Sequence, residues 1–163
     1  MSDPRPDGRP GELPGAVLFA CNHNRVRSPM AEALTKLIYG HRFYVDSAGL
    51  KPQEEVDPFV EIVIDEVGGA LTRHRSKSFD AVTDTSFDLV ISLTPEAQHR
   101  AVEMTRGAAV DIEYWPTFDP TLATGSREAV LGAYREARDA LLERIRARFG
   151  WNGVVRGMNA GSR

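Results

Sequence analysis

The sequence predicts an α/β fold, a three-layer sandwich in which helices cover both faces of a central four-stranded parallel sheet. The sequence predicts strands at 16–21, 43–48, 87–93 and 109–115, and the first of them, AVLFAC, is apolar throughout. Continuous runs of this kind are typical of strands that are buried on both faces. Stretches with helical periodicity separate the runs, and such alternation indicates crossover connections and a parallel sheet.

Four helices are predicted between and after these strands. The first begins at Ser28, its expected N-cap, and ends at Gly40. The second follows Asp57, although its β-branched residues would also fit a strand. The third covers 95–106, and a long fourth helix begins after Ser126. The fourth helix carries one apolar stripe, formed by Val130, Tyr134, Ala137, Leu141 and Ile145.

Length and composition indicate one folded domain at 16–149, between a flexible N-terminal tail at 1–15 and a C-terminal tail at 150–163. The net charge of −3 argues against a general nucleic-acid binder, and no apolar run has the length of a membrane span. With one cysteine in 163 residues no intramolecular disulfide can form, so we expect a cytoplasmic protein. Because metal-ligand spacings are lacking, we predict no metal site and no cofactor.

The loop after the first strand contains the candidate catalytic residues. Five residues separate Cys21 from Arg27, and a predicted helix follows directly. A loop of this length can fold so that its N–H groups and the helix N-terminus converge on one anion, and such surroundings favour a nucleophilic thiolate. Arg27 can bind two phosphate oxygens and follow them into the transition state. The predicted phosphate-binding residues are Asn22, His23, Asn24, Arg25, Val26, Arg27 and Ser28.

A lone cysteine at the end of an apolar strand is more often a small buried hydrophobe than a nucleophile. The spacing from Cys21 to Arg27 and the adjoining helix favour the catalytic interpretation. The loop, CNHNRVRSP, resembles the C-x-G-N-x-C-R-S-P pattern of the low-molecular-weight protein-tyrosine phosphatases. The resemblance extends over about 17–149 and includes VDSAG, FDLVIS and a late FDP.

This resemblance implies a two-step reaction through a phosphocysteine on Cys21. It also implies that Asp119, in the late Asp-Pro pair, protonates the leaving oxygen. Asp-Pro is also a turn signal and occurs at Asp3 and Asp57 too, but only Asp119 follows the last predicted strand. The supporting hydrogen-bond network of the family would fall on Asn24, Ser28, Ser47 and His74, although an isolated histidine is usually structural or exposed. The Ser28 hydroxyl could cap the helix or donate to the Cys21 sulfur, which would make that sulfur a better leaving group.

Several residues depart from the family pattern. His23 replaces a glycine, and we expect positive φ there, as a tight anion loop often requires. Val26 replaces a second cysteine, so an oxidised Cys21 has no partner within the chain. Asn22 occupies a position that is often apolar, and Thr121-Leu122 replace tyrosines. The remaining candidates for the apolar walls of a phenyl-binding pocket are Phe118, Trp115 and Phe59.

The resemblance implies a phosphomonoester hydrolase, in particular a protein-tyrosine phosphatase, acting on a phosphorylated protein or a small phosphomonoester. The same fold and loop also occur in arsenate reductases, and the stretch DPTLATGSREAV resembles theirs equally well. With one cysteine, such a reductase would need an external thiol or glutaredoxin. A non-catalytic phosphate-binding module is the third alternative, and retention of Cys21 and Asp119 argues against it. The sequence predicts no oligomeric state.

Overall fold

The computed structural model describes residues 13–40, 42–53, 55–71, 74–82 and 87–150. The two predicted tails lie outside the described residues, apart from 13–15 and Gly150. The strands are β1 (Ala16–Cys21), β2 (Tyr44–Gly49), β3 (Leu89–Ser92) and β4 (Asp111–Tyr114). The helices are α1 (Arg27–Tyr39), α2 (Pro58–Asp65), α3 (Pro95–Met104) and α4 (Arg127–Phe149), with short 3₁₀ turns at Phe79–Val82 and Pro120–Leu122.

The four strands form one parallel sheet in the order β2-β1-β3-β4, which confirms the predicted α/β fold. Val17 of β1 is in register with Val45 of β2 and with Leu89 of β3. Helices cover both faces of the sheet. The first strand is therefore central, with a neighbouring strand on each side.

Alternating side chains of β1 pack into two separate apolar cores, because successive residues of a strand point to opposite faces. Val17 and Phe19 belong to the larger core, which they share with α1, α2 and α4. Leu18 and Ala20 belong to the smaller core, which they share with α3 and the turn at Phe79–Val82. These residues are 0 to 1% exposed, so the uniformly apolar run reflects burial on both faces.

The helix boundaries confirm one prediction and correct another. The segment after Asp57 is the helix α2, and Asp57 is its N-cap, accepting a hydrogen bond from the N–H of Phe59 at 2.8 Å. The prediction that Ser28 caps α1 is wrong, because the helix begins at Arg27 and Val26 occupies the N-cap position without a side-chain cap. Ser28 is therefore inside the first turn, where its hydroxyl is available for another contact.

The topology places a crevice at the carboxyl end of β1. The chain leaves β1 toward α1 on one face of the sheet, and it leaves β3 toward α3 on the other face. Ligands of open parallel sheets bind where neighbouring strands diverge in this way. Cys21 is the last residue of β1, so it lies at this crevice. Within the described ranges, no helix is both long and apolar enough to cross a membrane.

Candidate active site

The Cys21 sulfur is buried and meets two polar groups. Its Sγ atom lies 2.9 Å from Ser28 Oγ, and the backbone N–H of Asn24 donates to it at 3.3 Å. Asn24 Nδ2 donates to Ser28 Oγ at 2.9 Å, so the Ser28 hydroxyl can donate its own hydrogen to the sulfur at 2.9 Å or to the more distant Ala48 carbonyl at 3.5 Å. Both donors would stabilise negative charge on the Cys21 sulfur.

The backbone of the loop offers hydrogen-bond donors to an anion. Among the N–H groups of residues 22–28, only that of Asn24 meets an acceptor in the described part of the chain, and that acceptor is Cys21 Sγ. The loop runs directly into the N-terminus of α1, where the N–H groups of the first turn have no intrahelical partner. Free donors next to a cysteine at a helix N-terminus form a suitable cradle for phosphate.

Asn24 holds the loop in shape. It is fully buried, and its side chain donates to Ser28 Oγ and Ser47 Oγ at 2.9 Å each. Its Oδ1 accepts from the N–H of Lys77 at 2.9 Å, and its carbonyl accepts from Ser76 Oγ at 2.7 Å. These four hydrogen bonds fix the middle of the loop to α1, to β2 and to the segment at 76–77.

The expected positive φ at His23 is wrong. Among the described residues, Asn24 is the non-glycine residue with positive φ, at 52°. His23 is exposed at the surface of the loop, with Nδ1 3.0 Å from the carbonyl of Lys51. Asparagine tolerates the left-handed region well, so the loop turns at Asn24 without a glycine at position 23.

Glu32 is a buried member of this network that the sequence did not reveal. Ser47 Oγ donates to Glu32 Oε1 at 2.5 Å, and His74 Nδ1 lies 3.3 Å from the same oxygen. Lys36 Nζ is 2.5 Å from the other carboxylate oxygen. Burial alone would raise the pKa of Glu32, but hydrogen bonds from His74, Lys36 and Ser47 lower it to about 2. One feature of the sequence could have indicated this role: Glu32 comes four residues after Ser28 and therefore lies on the same face of α1.

His74 belongs to the same network and is linked to the loop through two residues, Glu32 and Ser47. Its side chain is 3% exposed, and it contacts Glu32, which in turn contacts Ser47 and through Ser47 the side chain of Asn24. The structure thus brings together Asn24, Ser28, Ser47 and His74, the four residues of the predicted supporting network.

Arg27 and Asp119 lie next to each other across the mouth of the loop. Arg27 Nη1 donates to the carbonyl of Thr117 at 2.9 Å, and Nη2 lies 3.9 Å from Asp119 Oδ2. Asp119 Oδ1 accepts from the N–H and the hydroxyl of Thr121, at 3.0 and 2.7 Å. One carboxylate oxygen is thereby fixed while the other faces Arg27. Asp3 lies outside the described residues, and Asp57 caps α2.

The entrance of the site is more polar than a phenyl-binding pocket. Asn22 Oδ1 accepts from Thr94 Oγ1 at 2.7 Å, and Asn22 Nδ2 is 3.4 Å from Glu96 Oε1. The expectation that Trp115 forms a wall is wrong, because it is 3% exposed and packs edge-on against the core residue Phe19. Phe118, in contrast, is 49% exposed.

The remaining predicted residues occupy two different environments. Val26 is buried in the larger core, while the Arg25 side chain is partly exposed and lies 3.1 Å from Asp57 Oδ2. Phe59 packs against Tyr134 at 5.3 Å between ring centroids, with the guanidinium of Arg127 over its ring. No group of three His, Cys, Asp or Glu side chains suited to a metal ion occurs in the described ranges.

The site combines a cysteine at the end of the first parallel strand with free N–H donors and an arginine at the start of the next helix, and this combination fits an enzyme of the phosphatase type. The chain belongs to the low molecular weight phosphotyrosine protein phosphatase family, whose sequence model matches residues 16–149.

Relatives within this fold have two kinds of activity. The chain is 32% identical over 139 residues to a low molecular weight protein-tyrosine-phosphatase of Streptomyces coelicolor, covering 78% of this chain and 82% of the relative. It is 29% identical over 130 residues to an arsenate reductase of Oceanobacillus iheyensis, covering 80% and 91%. The solved structure of YwlE arginine phosphatase from Geobacillus stearothermophilus matches with a TM-score of 0.69 at 27% identity, covering 82% and 90%.

Proposed function

We propose that the protein is a phosphomonoester hydrolase that acts through a phosphocysteine intermediate on Cys21. The observation that supports this best is the Cys21 sulfur, 2.9 Å from Ser28 Oγ and 3.3 Å from the Asn24 N–H, in a loop whose other N–H groups are free for phosphate within the described residues. We also propose a cytoplasmic location, where a single free cysteine stays reduced.

In the first step, the Cys21 thiolate attacks phosphorus, the S–P bond forms and the P–O bond to the leaving group breaks. Arg27, 14% exposed and anchored to the Thr117 carbonyl, binds the equatorial oxygens as the phosphoryl group flattens. Asp119 gives its proton to the leaving oxygen. In the second step water attacks phosphorus, the S–P bond breaks, and the Asp119 carboxylate takes a proton from water. The Ser28 hydroxyl stabilises the departing thiolate.

The proposed substrates are phosphorylated proteins, with phosphotyrosine as the first candidate. Phe118, which is half exposed and precedes Asp119, can contact a phenyl ring. Phe59 contributes less, because its ring already packs against Tyr134 and Arg127.

Arsenate reduction with an external thiol or glutaredoxin is the second candidate. The polar entrance formed by Asn22, Thr94 and Glu96 favours it, since arsenate has no ring to bury. Cys21 would attack arsenic with loss of water. An external thiol would then attack the sulfur of the Cys21–arsenic adduct, which forms a mixed disulfide and releases arsenite as arsenic accepts the electron pair. A second external thiol would regenerate Cys21.

The deciding experiment compares the wild-type chain with Cys21→Ser on an aryl phosphate, on phosphotyrosine peptides, and on arsenate with added thiol or glutaredoxin. We expect Cys21-dependent hydrolysis of the phosphate esters. Thiol-dependent release of arsenite without ester hydrolysis would support the reductase, and phosphate binding without turnover would indicate a binding module. Full hydrolytic activity of Cys21→Ser would exclude the proposed mechanism.

The Asp119 assignment has its own test. Asp119→Ala should slow hydrolysis most for esters with poor leaving groups, because these need the proton most. Asp57→Ala is not a suitable control, since Asp57 contacts the loop; Asp139→Ala, at an exposed carboxylate of α4, is suitable. If Asp119→Ala slowed the hydrolysis of esters with good and poor leaving groups equally, Asp119 would not be the general acid.

A further inference from the structure

The side chain of Arg25 ties the phosphate loop to the opposite side of the site from Asn24. The Arg25 carbonyl accepts from the N–H of Asp57 at 3.0 Å, and Arg25 Nη1 lies 3.1 Å from Asp57 Oδ2. The backbone and the guanidinium of one loop residue are therefore both held by Asp57. Since Arg25 comes two residues before Arg27, this contact lies beside the donors that would receive the phosphate.

Asp57 is itself tightly held. Its side chain is 11% exposed, and Oδ1 accepts from the N–H of Phe59 at 2.8 Å. The Tyr134 hydroxyl, from α4, donates to Oδ2 at 2.7 Å, the same oxygen that faces Arg25. A carboxylate this buried needs several donors and an opposite charge, and here the backbone, Tyr134 and Arg25 supply them.

Tyr134 is suited to act as a permanent donor in this cluster. It is 2% exposed, burial raises the pKa of its hydroxyl, and the hydrogen bond to Asp57 raises it further. The phenol therefore stays protonated throughout the neutral range and keeps its hydrogen bond to Asp57. The cluster links three elements that are distant in sequence: the phosphate loop, the start of α2 and the middle of α4.

We propose that Asp57 and Tyr134 are positioning residues for the phosphate loop and act on it through Arg25. Asn24 is fixed from the side of β2, and Asp57 fixes the adjacent Arg25 from the side of α2 and α4, so the loop is held from both sides and its N–H groups keep one arrangement. Neither residue touches substrate. This inference rests on the proposed function, because it assumes that the loop binds the transferred phosphate.

The test uses Asp57→Asn, Tyr134→Phe and Arg25→Met in the full chain, with inorganic phosphate as the binding probe and an aryl phosphate as the substrate. Asparagine is a good N-cap, so Asp57→Asn keeps the start of α2 and removes only the charge. We expect Asp57→Asn to raise the Kd of phosphate and to lower kcat/KM by roughly 10- to 100-fold, the range that a small misplacement of binding groups produces. Tyr134→Phe should act in the same direction with a smaller factor.

The double variant Asp57→Asn/Arg25→Met should bind phosphate no more weakly than the weaker of the two single variants, because both remove the same link. Ser126→Ala is the matched control: it removes the N-cap of α4, which lowers Tm without touching the loop. We expect its phosphate Kd to be unchanged.

The proposal is overturned if Asp57→Asn lowers Tm but leaves the phosphate Kd and kcat/KM unchanged. Asp57 would then have a structural role only. If Asp57→Asn does not fold, Tyr134→Phe and Arg25→Met decide, and an unchanged phosphate Kd in both overturns it. If the wild-type chain binds phosphate but hydrolyses no ester, the proposed function fails, and the Kd comparison still tests the positioning residues.

Discussion

The loop at 22–28, the proposed phosphate loop, has an inner and an outer side that are held by different kinds of interaction. On the inner side, formed by Asn24, Ser28 and Ser47, all side chains are fully buried, and the Asn24 amide donates to the neutral hydroxyls of Ser28 and Ser47. On the outer side, at Asn22, the side chain accepts a hydrogen bond from Thr94 and lies 3.4 Å from the carboxylate of the exposed residue Glu96. The inner side holds the Cys21 sulfur, the proposed nucleophile, and the outer side lies at the proposed entrance for the substrate.

This difference has an energetic consequence. A buried network of polar groups is costly to break, because each orphaned group loses its partner without gaining water. Interactions at a half-exposed surface are weaker, since water and salt replace them. Changes on the inner side should therefore affect folding and catalysis together, while changes on the outer side should alter substrate preference with little loss of stability.

The largest effect is expected for Gly49→Ala, on the inner side. A Cβ atom at Gly49 would lie 2.6 Å from the backbone nitrogen of Asn24 and 2.8 Å from the carbonyl carbon of His23. Since backbone atoms cannot turn away as a side chain does, the loop must move. We expect a loss of about 3 kcal/mol in the free energy of unfolding and roughly 100-fold in kcat/KM, measured by urea titration and aryl phosphate hydrolysis.

Gly132→Ala is the control for that substitution. Gly132 is in the interior of α4, and a Cβ there has no heavy atom within 4 Å. Alanine should stabilise the helix by about 0.5 to 1 kcal/mol and leave kcat/KM unchanged. If Gly49→Ala were as well tolerated as Gly132→Ala, the close approach of β2 to the loop would not constrain the nucleophile.

The next effect concerns the far end of the inner network, at Glu32. Its pKa is lowered from 4.5 to about 2 in the folded protein, so the carboxylate stabilises the fold above pH 4.5, and this contribution is lost as pH falls through 2. A difference of about 2.5 pKa units at about 1.36 kcal/mol each corresponds to about 3 kcal/mol. Glu32→Gln should lose that amount at pH 7, and the gap to wild type should close between pH 4.5 and 2.

Glu66 provides the comparison for Glu32. Hydrogen bonds from Arg135 and Arg138 also lower the pKa of Glu66 to about 2, but the Glu66 side chain is 33% exposed, against 7% for Glu32. Solvent screening should therefore reduce the effect of Glu66→Gln to about 1 kcal/mol or less. Equal losses in the two variants, measured by urea unfolding across pH, would contradict the distinction between buried and exposed carboxylates.

The sequence revealed the parts of the site that depend on periodicity and local order. The apolar run before Cys21, the spacing to Arg27 and the helical pattern that follows are local features, and they led to the observed strand, loop and helix. Ser28 shows the limit of such reasoning, because its type fits both an N-cap and a contact with sulfur. Only the start of α1 at Arg27 decides between the two.

Features that depend on distant contacts were not predictable. A glutamate on a helix usually faces solvent, so the sequence does not indicate that Glu32 is buried. Its partners Ser47 and His74 come from other parts of the chain. Trp115 was a reasonable wall for an aromatic pocket, but the packing of β4 directs it into the core. Where a side chain points is set by tertiary packing, which one sequence does not show.

The smallest effect is expected on the outer side, for Asn22→Leu. Leucine would replace an amide that is bound to Thr94 and Glu96 with an apolar wall next to the nucleophile. An added apolar contact of roughly 1 kcal/mol should raise kcat/KM for an aryl phosphate about fivefold, while an alkyl phosphate should gain nothing. The Ki of inorganic phosphate should stay constant, because the contacts of Asn24 and Arg25 still hold the loop. A parallel change in Ki, or an equal gain for both esters, would show that Asn22 shapes the loop itself, and the two sides would then not be independent.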